Sequence, residues 1–441
     1  MNQTIAAIAS GGGKAAIAVI RVSGPKSISL FKKLTRSKSK PKPNYIKPYW
    51  LYDSKGKIDQ SMVVYFQSPK SFSGEDMLEI HCHGSEVVQK QLLKEIYKFG
   101  VNPAKPGEFS ERAYRNGKID ITQAEAIMDL VAAENTQIAK LAVRQLAGEF
   151  SEKIHYIRDS LTTLSAGLSA DMDFSEEDLP STSQAEIVKI LNNSIFELQK
   201  IKANSELLPK LTNGITIALV GLPNAGKSTL LNTLLGYERS IVTKVAGTTR
   251  DTISETVEIN GVNYHFIDTA GLNSDPDEVE KIGIERTLKA LKGADLTLLL
   301  VEPNMLAKTQ QYLKANGLQE ILKNTDIKTV YTKSDLLKNP QGRLSISAKN
   351  KTGISKLIDV IETTTKGKYV GDINILTVRQ LDIVNQTESL LINLLDNTNN
   401  LTYDLICAEL ESIINLLNSI TGEQANKQII DSIFRNFCIG K

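Results

Sequence analysis

The stretch Gly221-Leu222-Pro223-Asn224-Ala225-Gly226-Lys227-Ser228 limits what this chain can fold into more than any other. An apolar run over 215–220 precedes it, and an apolar-periodic run beginning Thr229-Leu230-Leu231 follows. The order is therefore strand, glycine-rich loop, helix. The spacing fits G-x-x-x-x-G-K-[ST], in the flanking context that the motif requires, which sets aside a chance match in a turn. The two glycines let the backbone turn its N–H groups inward around phosphate oxygens. Lys227 then reaches the β- and γ-phosphates, and the Ser228 hydroxyl is placed to ligate Mg²⁺.

Later motifs choose the nucleotide. Asp268-Thr269-Ala270-Gly271 ends an apolar run over 264–267. Its Asp can hold Mg²⁺ through water, and the Gly271 N–H can meet the γ-phosphate. Between the two motifs lies Gly247-Thr248-Thr249-Arg250-Asp251, in a polar segment suited to a switch loop. Thr249 there is a second hydroxyl ligand for Mg²⁺. Thr332-Lys333-Ser334-Asp335 follows a short strand pattern over 328–331. Its carboxylate accepts both N1–H and the exocyclic amine of guanine, a donor pair that adenine lacks. Ser347-Ala348-Lys349, after an apolar stretch over 344–346, can put a backbone N–H on guanine O6. Five motifs in this order predict a GTP-binding domain. The set resembles the translation-factor-related GTPases, whose guanine motif is usually Asn-Lys-x-Asp. Thr332 stands where Asn is expected, a departure that bears on how tightly guanine is held rather than on the base choice made by Asp335.

At 441 residues the chain is long enough for more than one domain. A net charge of +2 gives no global field for nucleic acid, so any such contact falls to local patches. Three cysteines, Cys82, Cys407 and Cys438, make no disulfide framework and point to a reducing cytoplasm. No apolar run approaches the roughly 18 residues of a membrane span, and the N-terminal stretch does not read as a signal peptide.

Residues 1 to about 117 read as mixed α/β, with strands expected at 15–22, 61–66 and 77–82 and a helix at 87–99. Gly11-Gly12-Gly13-Lys14 mimics a phosphate loop, but Ala15 replaces the hydroxyl ligand and Ile8 the first glycine. His81-Cys82-His83 would put both imidazoles on one strand face, and no second cluster completes four metal ligands, so packing or hydrogen bonding is the expected role. Lys32, Lys33, Arg36, Lys38, Lys40, Lys42 and Lys47 crowd one segment with Pro41, Pro43 and Pro48. It reads either as a solvated loop or as a contact to a nucleic-acid backbone. From 119 to 211 the pattern is helical, including 123–150. Residues 167–180 are expected to interrupt it with an acidic patch (Asp171, Asp173, Glu176, Glu177, Asp178) that lacks calcium-loop spacing. Ser183-Gln184-Ala185-Glu186 looks like a capping box opening another helix. Helices at 377–396 and 403–417 bury little alone, so their expected partners are the helices that precede the nucleotide domain.

Several further motifs narrow the family: Ser73-Gly74-Glu75-Asp76-Met77-Leu78-Glu79; His83-Gly84; Lys105-Pro106-Gly107-Glu108-Phe109-Ser110-Glu111-Arg112-Ala113; Thr122-Gln123-Ala124-Glu125-Ala126 with Leu130; and the closing Phe437-Cys438-Ile439-Gly440-Lys441. Together they resemble the MnmE (TrmE) family of tRNA-modifying GTPases across essentially the full chain. The resemblance implies a multidomain α/β plus α protein. It would have a folate-binding-like α/β domain at 1–118 that mediates homodimerisation. An all-helical domain would come from 119–211 and 370–441, and a P-loop GTPase domain with a mostly parallel sheet would be inserted at 212–369. It further implies action with an FAD-dependent partner, MnmG (GidA), on the wobble uridine of certain tRNAs. An aminomethyl or carboxymethylaminomethyl group is added at carbon 5, with 5-formyl- or methylene-tetrahydrofolate supplying the one-carbon unit. By motif position Arg21, Glu79, Lys118 and Lys441 would contact the folate. Cys438 reads as a small apolar residue or, in the family setting, as a thiol near the folate; Gly440 and Lys441 do not fit a prenylation signal.

Ras-like enzymes place a Gln after Asp-x-x-Gly to orient water; this chain has Leu272. The family solution implied here is a K⁺ ion held by Asn224, Thr243, Val245 and Thr248, within the Thr243-Lys244-Val245-Ala246-Gly247-Thr248 segment. Glu280 matches the acidic residue that acts on water. A regulatory or assembly GTPase without one-carbon chemistry is the other class left open by the sequence.

Overall fold

A computed structural model describes residues 3–11, 13–173, 182–202, 208–236, 240–242, 254–268, 291, 293–315, 325–336, 343–366, 376–424, 427–438 and 440. The chain divides into two compact units. One comprises Met1–Val131, Ala142–Gln199 and Thr377–Lys441; the other comprises Ala132–Leu141 and Lys200–Leu376. The second is thus an insertion in the first, joined by a ten-residue segment from further upstream.

The first unit carries a six-stranded sheet of β1 (Ile5–Ile8), β2 (Ile17–Ser23), β3 (Lys47–Tyr52), β4 (Lys57–Phe66), β5 (Met77–His83) and β6 (Asn102–Pro103), in the order β3-β4-β5-β2-β1-β6. All pairings are antiparallel except β1 with β6. Side chains alternate across a strand. On β2, Ala18, Ile20 and Val22 therefore face one way and join Leu30, Phe31 and Leu34 of the helix Ser27–Thr35 and Leu92 and Ile96 of the helix Glu86–Lys98 in one buried core. Arg21 lies on the opposite face. Cys82 sits in that same core, 1% exposed, its thiol pushed up to about 11 by burial. His83 instead pairs with Asp59 at 2.6 Å, so the His-Cys-His run splits between the two faces as a strand requires. The run Gly11–Lys14 joins β1 to β2 and has no following helix to receive a phosphate.

The helical segments of the chain correct two expectations. The pattern over 123–150 is three helices, Ile121–Ala132, Thr136–Leu146 and Glu149–Asp173, the last two separated at Gly148 (φ 98°). The break expected at 167 does not occur there: the third helix runs through Gly167 to Asp173. Leu161, Leu164 and Leu168 stay fully buried, as do Ile406, Leu410, Ile413 and Leu417 of the helix Tyr403–Thr421 that packs along it. Burial of that continuous stripe, at roughly 1.5–3 kcal/mol per large side chain, outweighs the roughly 1 kcal/mol penalty of an internal glycine. Asp171 accepts the Thr182 N–H at 2.7 Å; Glu176, Glu177 and Asp178 lie outside the described residues. Ser183 caps the helix Gln184–Lys202 by accepting the Glu186 N–H, and Thr377 opens the helix Val378–Asn397 with a full capping box.

The second unit carries β7 (Ile215–Gly221), β8 (Ser240–Val242), β9 (Ser254–Ile259), β10 (Val262–Asp268), β11 (Leu296–Val301) and β12 (Ile327–Tyr331), in the order β12-β11-β7-β10-β9-β8. The pairings of β12, β11, β7 and β10 are parallel, and β9 and β8 add an antiparallel edge. β7 and β11 are almost wholly buried, as central strands of a parallel sheet must be. The stretch over 344–346 is no full strand: it meets the end of β12 in a single bridge, Tyr331 to Ser345. That contact is enough to carry the chain to the same end of the sheet as Gly221 and Asp268.

Candidate functional site

The carboxyl ends of β7, β10 and β12 carry three of the motifs, as ligand sites in open α/β sheets do. At the end of β7, Gly221 is so close to β11 that a Cβ there would lie 2.5 Å from the Leu300 carbonyl oxygen. Asn224 (φ 64°) and Gly226 (φ 91°) both adopt left-handed backbone, which curls the loop onto the N-terminus of the helix Lys227–Leu235. The Lys227 ammonium is buried beneath the loop and donates to the carbonyl oxygens of Gly221 (2.8 Å) and Leu222 (3.0 Å). Burial lowers its pKa, and the Asp268 carboxylate opposes that shift. The Ser228 hydroxyl donates to Asp268 Oδ2 at 3.0 Å. Two hard oxygen donors this close would suit Mg²⁺.

A cavity of about 230 Å³ opens beside the loop and is lined by Gly226, Thr229, Thr332, Asp335, Ser347 and Lys349, among others. Thr332 is buried; its N–H donates to the Val301 carbonyl at 3.0 Å, and its Cβ would stand 3.8 Å from a Cβ on Gly226. Its hydroxyl donates to the same carbonyl at 3.5 Å. Lys333, at φ 52°, pairs with Glu302 at 2.7 Å. Asp335 accepts the Ser347 hydroxyl at 2.6 Å, and that bond is the first cause holding its carboxyl below the usual range. The structure thus gathers Asn224, Ala225, Gly226, Lys227, Ser228, Thr229, Asp268, Thr332, Lys333, Ser334, Asp335, Ser347, Ala348 and Lys349 at one end of one sheet. Thr243, Lys244, Val245, Ala246, Gly247, Thr248, Thr249, Thr269, Ala270, Gly271 and Glu280 lie outside the described residues. Leu336, 70% exposed at the cavity wall, offers an apolar surface for a flat base; motif reading missed it because it follows the last motif position.

A second polar site lies on the face of the first unit's sheet opposite its helices. β2 and β5 place Arg21 directly across from Glu79. Arg21 donates Nε (3.1 Å) and Nη2 (2.9 Å) to Glu79 Oε1, while Glu79 Oε2 lies 3.6 Å from His81 Nε2. The guanidinium also stands 5.1 Å from the Phe72 ring and 5.7 Å from Phe109, and Nη1 reaches the Gly440 carbonyl at 3.4 Å. The C-terminal segment is pinned there. Phe434 and Phe437 are buried against Ile121, Ala124 and Ile127, and a Cβ on Gly440 would meet Ile8 O at 2.2 Å. Cys438 is exposed two residues away; Lys441 lies outside the described residues. Lys118 is exposed, its Cγ 3.3 Å from where a Gly74 Cβ would stand, in the turn whose Ser73 hydroxyl is 2.7 Å from Ser23 on β2. Beneath the site is a residue whose role went unread in the sequence. Arg112, 2% exposed, donates to Glu75, Glu108 and the Gln3 carbonyl, each at 2.8 Å. The i,i+4 spacing of Glu108 and Arg112 was its only local signal. A carboxylate suits the amino-pyrimidine edge of a pterin, and cations suit the glutamate tail of a folate.

Comparisons with known proteins place the chain among tRNA modification GTPases. A family model described as the MnmE helical domain matches residues 121–438, and one described as the N-terminus of the GTP-binding protein TrmE matches residues 4–118. The chain is 37% identical over 448 residues to the tRNA modification GTPase MnmE of Coxiella burnetii, covering 100% of this chain and 99% of that protein. It is 34% identical over 452 residues to the tRNA modification GTPase MnmE of Aquifex aeolicus, covering 100% of each.

Proposed function

The chain belongs to the MnmE family of tRNA modification GTPases, and from that footing we propose that it couples GTP hydrolysis to modification of the wobble uridine of certain tRNAs. In this reading it acts in the cytoplasm as a homodimer with the FAD-dependent partner MnmG. Together they add an aminomethyl or carboxymethylaminomethyl group at carbon 5 with a tetrahydrofolate one-carbon donor. The observation that supports it most is the convergence of Gly226, Thr332, Asp335 and Ser347 on one cavity beside the buried Lys227. Nucleoside analysis of tRNA from a strain lacking the gene tests it directly. Loss of the modified uridine is the expected result; an unchanged nucleoside profile rejects the reading in favour of a regulatory or assembly GTPase.

Lys227 binds the β- and γ-phosphates and offsets the charge that develops there. Ser228 and Thr249 hold Mg²⁺, which neutralises phosphate charge. Asn224, Thr243, Val245 and Thr248 supply oxygens for K⁺, and Glu280 acts on the attacking water in place of the Gln that Leu272 replaces. GTP turnover is therefore expected to be several-fold faster in KCl than in matched NaCl, and Glu280→Ala to cut turnover while GTP affinity holds. Equal rates in the two salts reject the K⁺ site, and full turnover in Glu280→Ala rejects the carboxylate.

Arg21, Glu79, Lys118 and Lys441 bind the folate in this proposal, with Cys438 beside it. Arg21→Ala leaves Glu79 partly buried without its ion pair, and Glu79→Ala does the converse. Each variant is expected to weaken calorimetric binding of 5-formyl-tetrahydrofolate by roughly tenfold or more, since charge-assisted bonds contribute about 1.5–3 kcal/mol. The GTPase rate is expected to stay unchanged. Wild-type folate affinity in both variants removes this pair from the site.

A further inference from the structure

The segment 26–57 holds ten lysines and arginines against one acid, Asp53, so it carries +9 in a chain whose whole balance is +2. Its middle, 36–46, is the loop that its prolines suggested, and a helix end and an edge strand flank it. Lys32 and Lys33 occupy the last turn of the helix Ser27–Thr35, Arg36 follows in left-handed backbone, and Lys47 opens the edge strand β3. Lys and Pro on an edge strand do blunt edge-to-edge pairing, but that role needs only one or two of these cations. The ten are exposed, and among the described residues none forms an ion pair with a carboxylate. They are interleaved with aromatic rings: Lys57 lies 4.2 Å from the centre of Trp50, Lys42 and Lys47 lie 5.6 and 5.2 Å from Tyr45, and Arg36 lies 4.2 Å from Tyr52. Trp50 and Tyr45 are nonetheless 42% and 50% exposed, with Ile46 beside them. A homodimer face is a poor occupant, because a two-fold axis would set this patch near its own positive copy.

We infer that this edge of the first unit is an RNA-binding surface, its lysines tracking the phosphate backbone of a tRNA while Trp50 and Tyr45 stack on unpaired bases of a loop. Exposed rings flanked by unpaired cations match the chemistry of single-stranded RNA better than that of a lipid surface, since bases stack on rings and phosphates pair with ammonium groups. The inference rests on the tRNA reading above and adds the surface that holds the RNA.

Trp50 is the only tryptophan in the chain, so its fluorescence reports on this patch alone. Fluorescently labelled tRNA is titrated by anisotropy while Trp50 emission is followed with unlabelled tRNA, using the full-length protein. Quenching that tracks binding is expected. In the triple variant Lys38→Glu, Lys40→Glu, Lys42→Glu the magnitude of the slope of log affinity against log salt should fall by about 2, at roughly 0.7–0.9 per lost phosphate contact. Trp50→Ala should lose roughly tenfold in affinity with its salt slope kept, because stacking rather than charge is removed. GTPase rates should match wild type in both variants. If tRNA binds with Trp50 emission unchanged and the triple variant keeps wild-type affinity and slope, this surface is overturned while the tRNA reading stands. If Trp50 responds to anionic phospholipid vesicles and not to tRNA, the patch is a lipid surface and the inference is overturned. If intact protein shows no anisotropy change with tRNA, both the surface and direct tRNA engagement fail.

Discussion

Lys227→Ala is expected to lower GTP turnover by at least about 10²–10³-fold, the range found when a single preorganised donor to a developing oxyanion is removed. The ammonium is buried at the base of its loop, held by the Gly221 and Leu222 carbonyls at 2.8 and 3.0 Å. Its position is thus set by the protein rather than by the nucleotide, and no reorganisation is required as phosphate charge develops. Asp268 opposes the effect of burial on its pKa and helps keep it charged. Truncation removes the cation and leaves two loop carbonyls without their donor, so GTP affinity should weaken as well. The checks are single-turnover hydrolysis and nucleotide binding, with circular dichroism to verify the fold. Wild-type turnover in a folded Lys227→Ala protein rejects the phosphate-loop assignment.

Asp335→Asn should convert the base preference. Guanine presents two adjacent donors, N1–H and the exocyclic amine, and a carboxylate offers two acceptors to match. The Ser347 hydroxyl, donating at 2.6 Å, both orients the Asp335 carboxylate and holds it ionised. A carboxamide presents one acceptor and one donor, so one guanine donor meets another donor. Sites built around a hydrogen-bonded partner discriminate by up to about 10⁴–10⁵-fold when the pairing is lost, and GTP affinity should fall by about 10²-fold or more here. Xanthine keeps N1–H but carries an acceptor at the adjacent carbon, which the carboxamide matches. Xanthosine triphosphate should therefore rescue turnover in Asp335→Asn and fail with the unaltered protein. Competition assays with GTP, ATP and xanthosine triphosphate decide it; an unchanged GTP-over-ATP ratio removes Asp335 as the base reader.

The guanine-nucleotide chemistry was legible in the sequence because each of its parts is contiguous. A phosphate loop is a handful of residues between a strand and a helix, and the proposed base reader, Asp335, sits within one short loop. Its identity survives any uncertainty in the rest of the fold. The insertion was legible too, since the helices after 377 have apolar faces that only helices before 200 could cover. At the second site, motif position named Arg21 and Glu79, and tertiary structure decided how they meet. Arg21 and Glu79 stand 58 residues apart and meet only because β2 and β5 pair antiparallel in that one register. A shift of one residue would have turned either side chain into the core. The Gly440 carbonyl reaches Arg21 from 419 residues away because Phe434 and Phe437 bury themselves against the helix that begins at Ile121. Periodicity reports which face of an element is apolar, not which partner covers it. For the same reason Gly167 read as a break and proved to be mid-helix, and the lysine-rich segment, a loop over 36–46 as its prolines suggested, also takes in a helix end at Lys32 and Lys33 and a sheet edge at Lys47. Local propensity costs about 1 kcal/mol per residue, and burial of a continuous apolar stripe outweighs it.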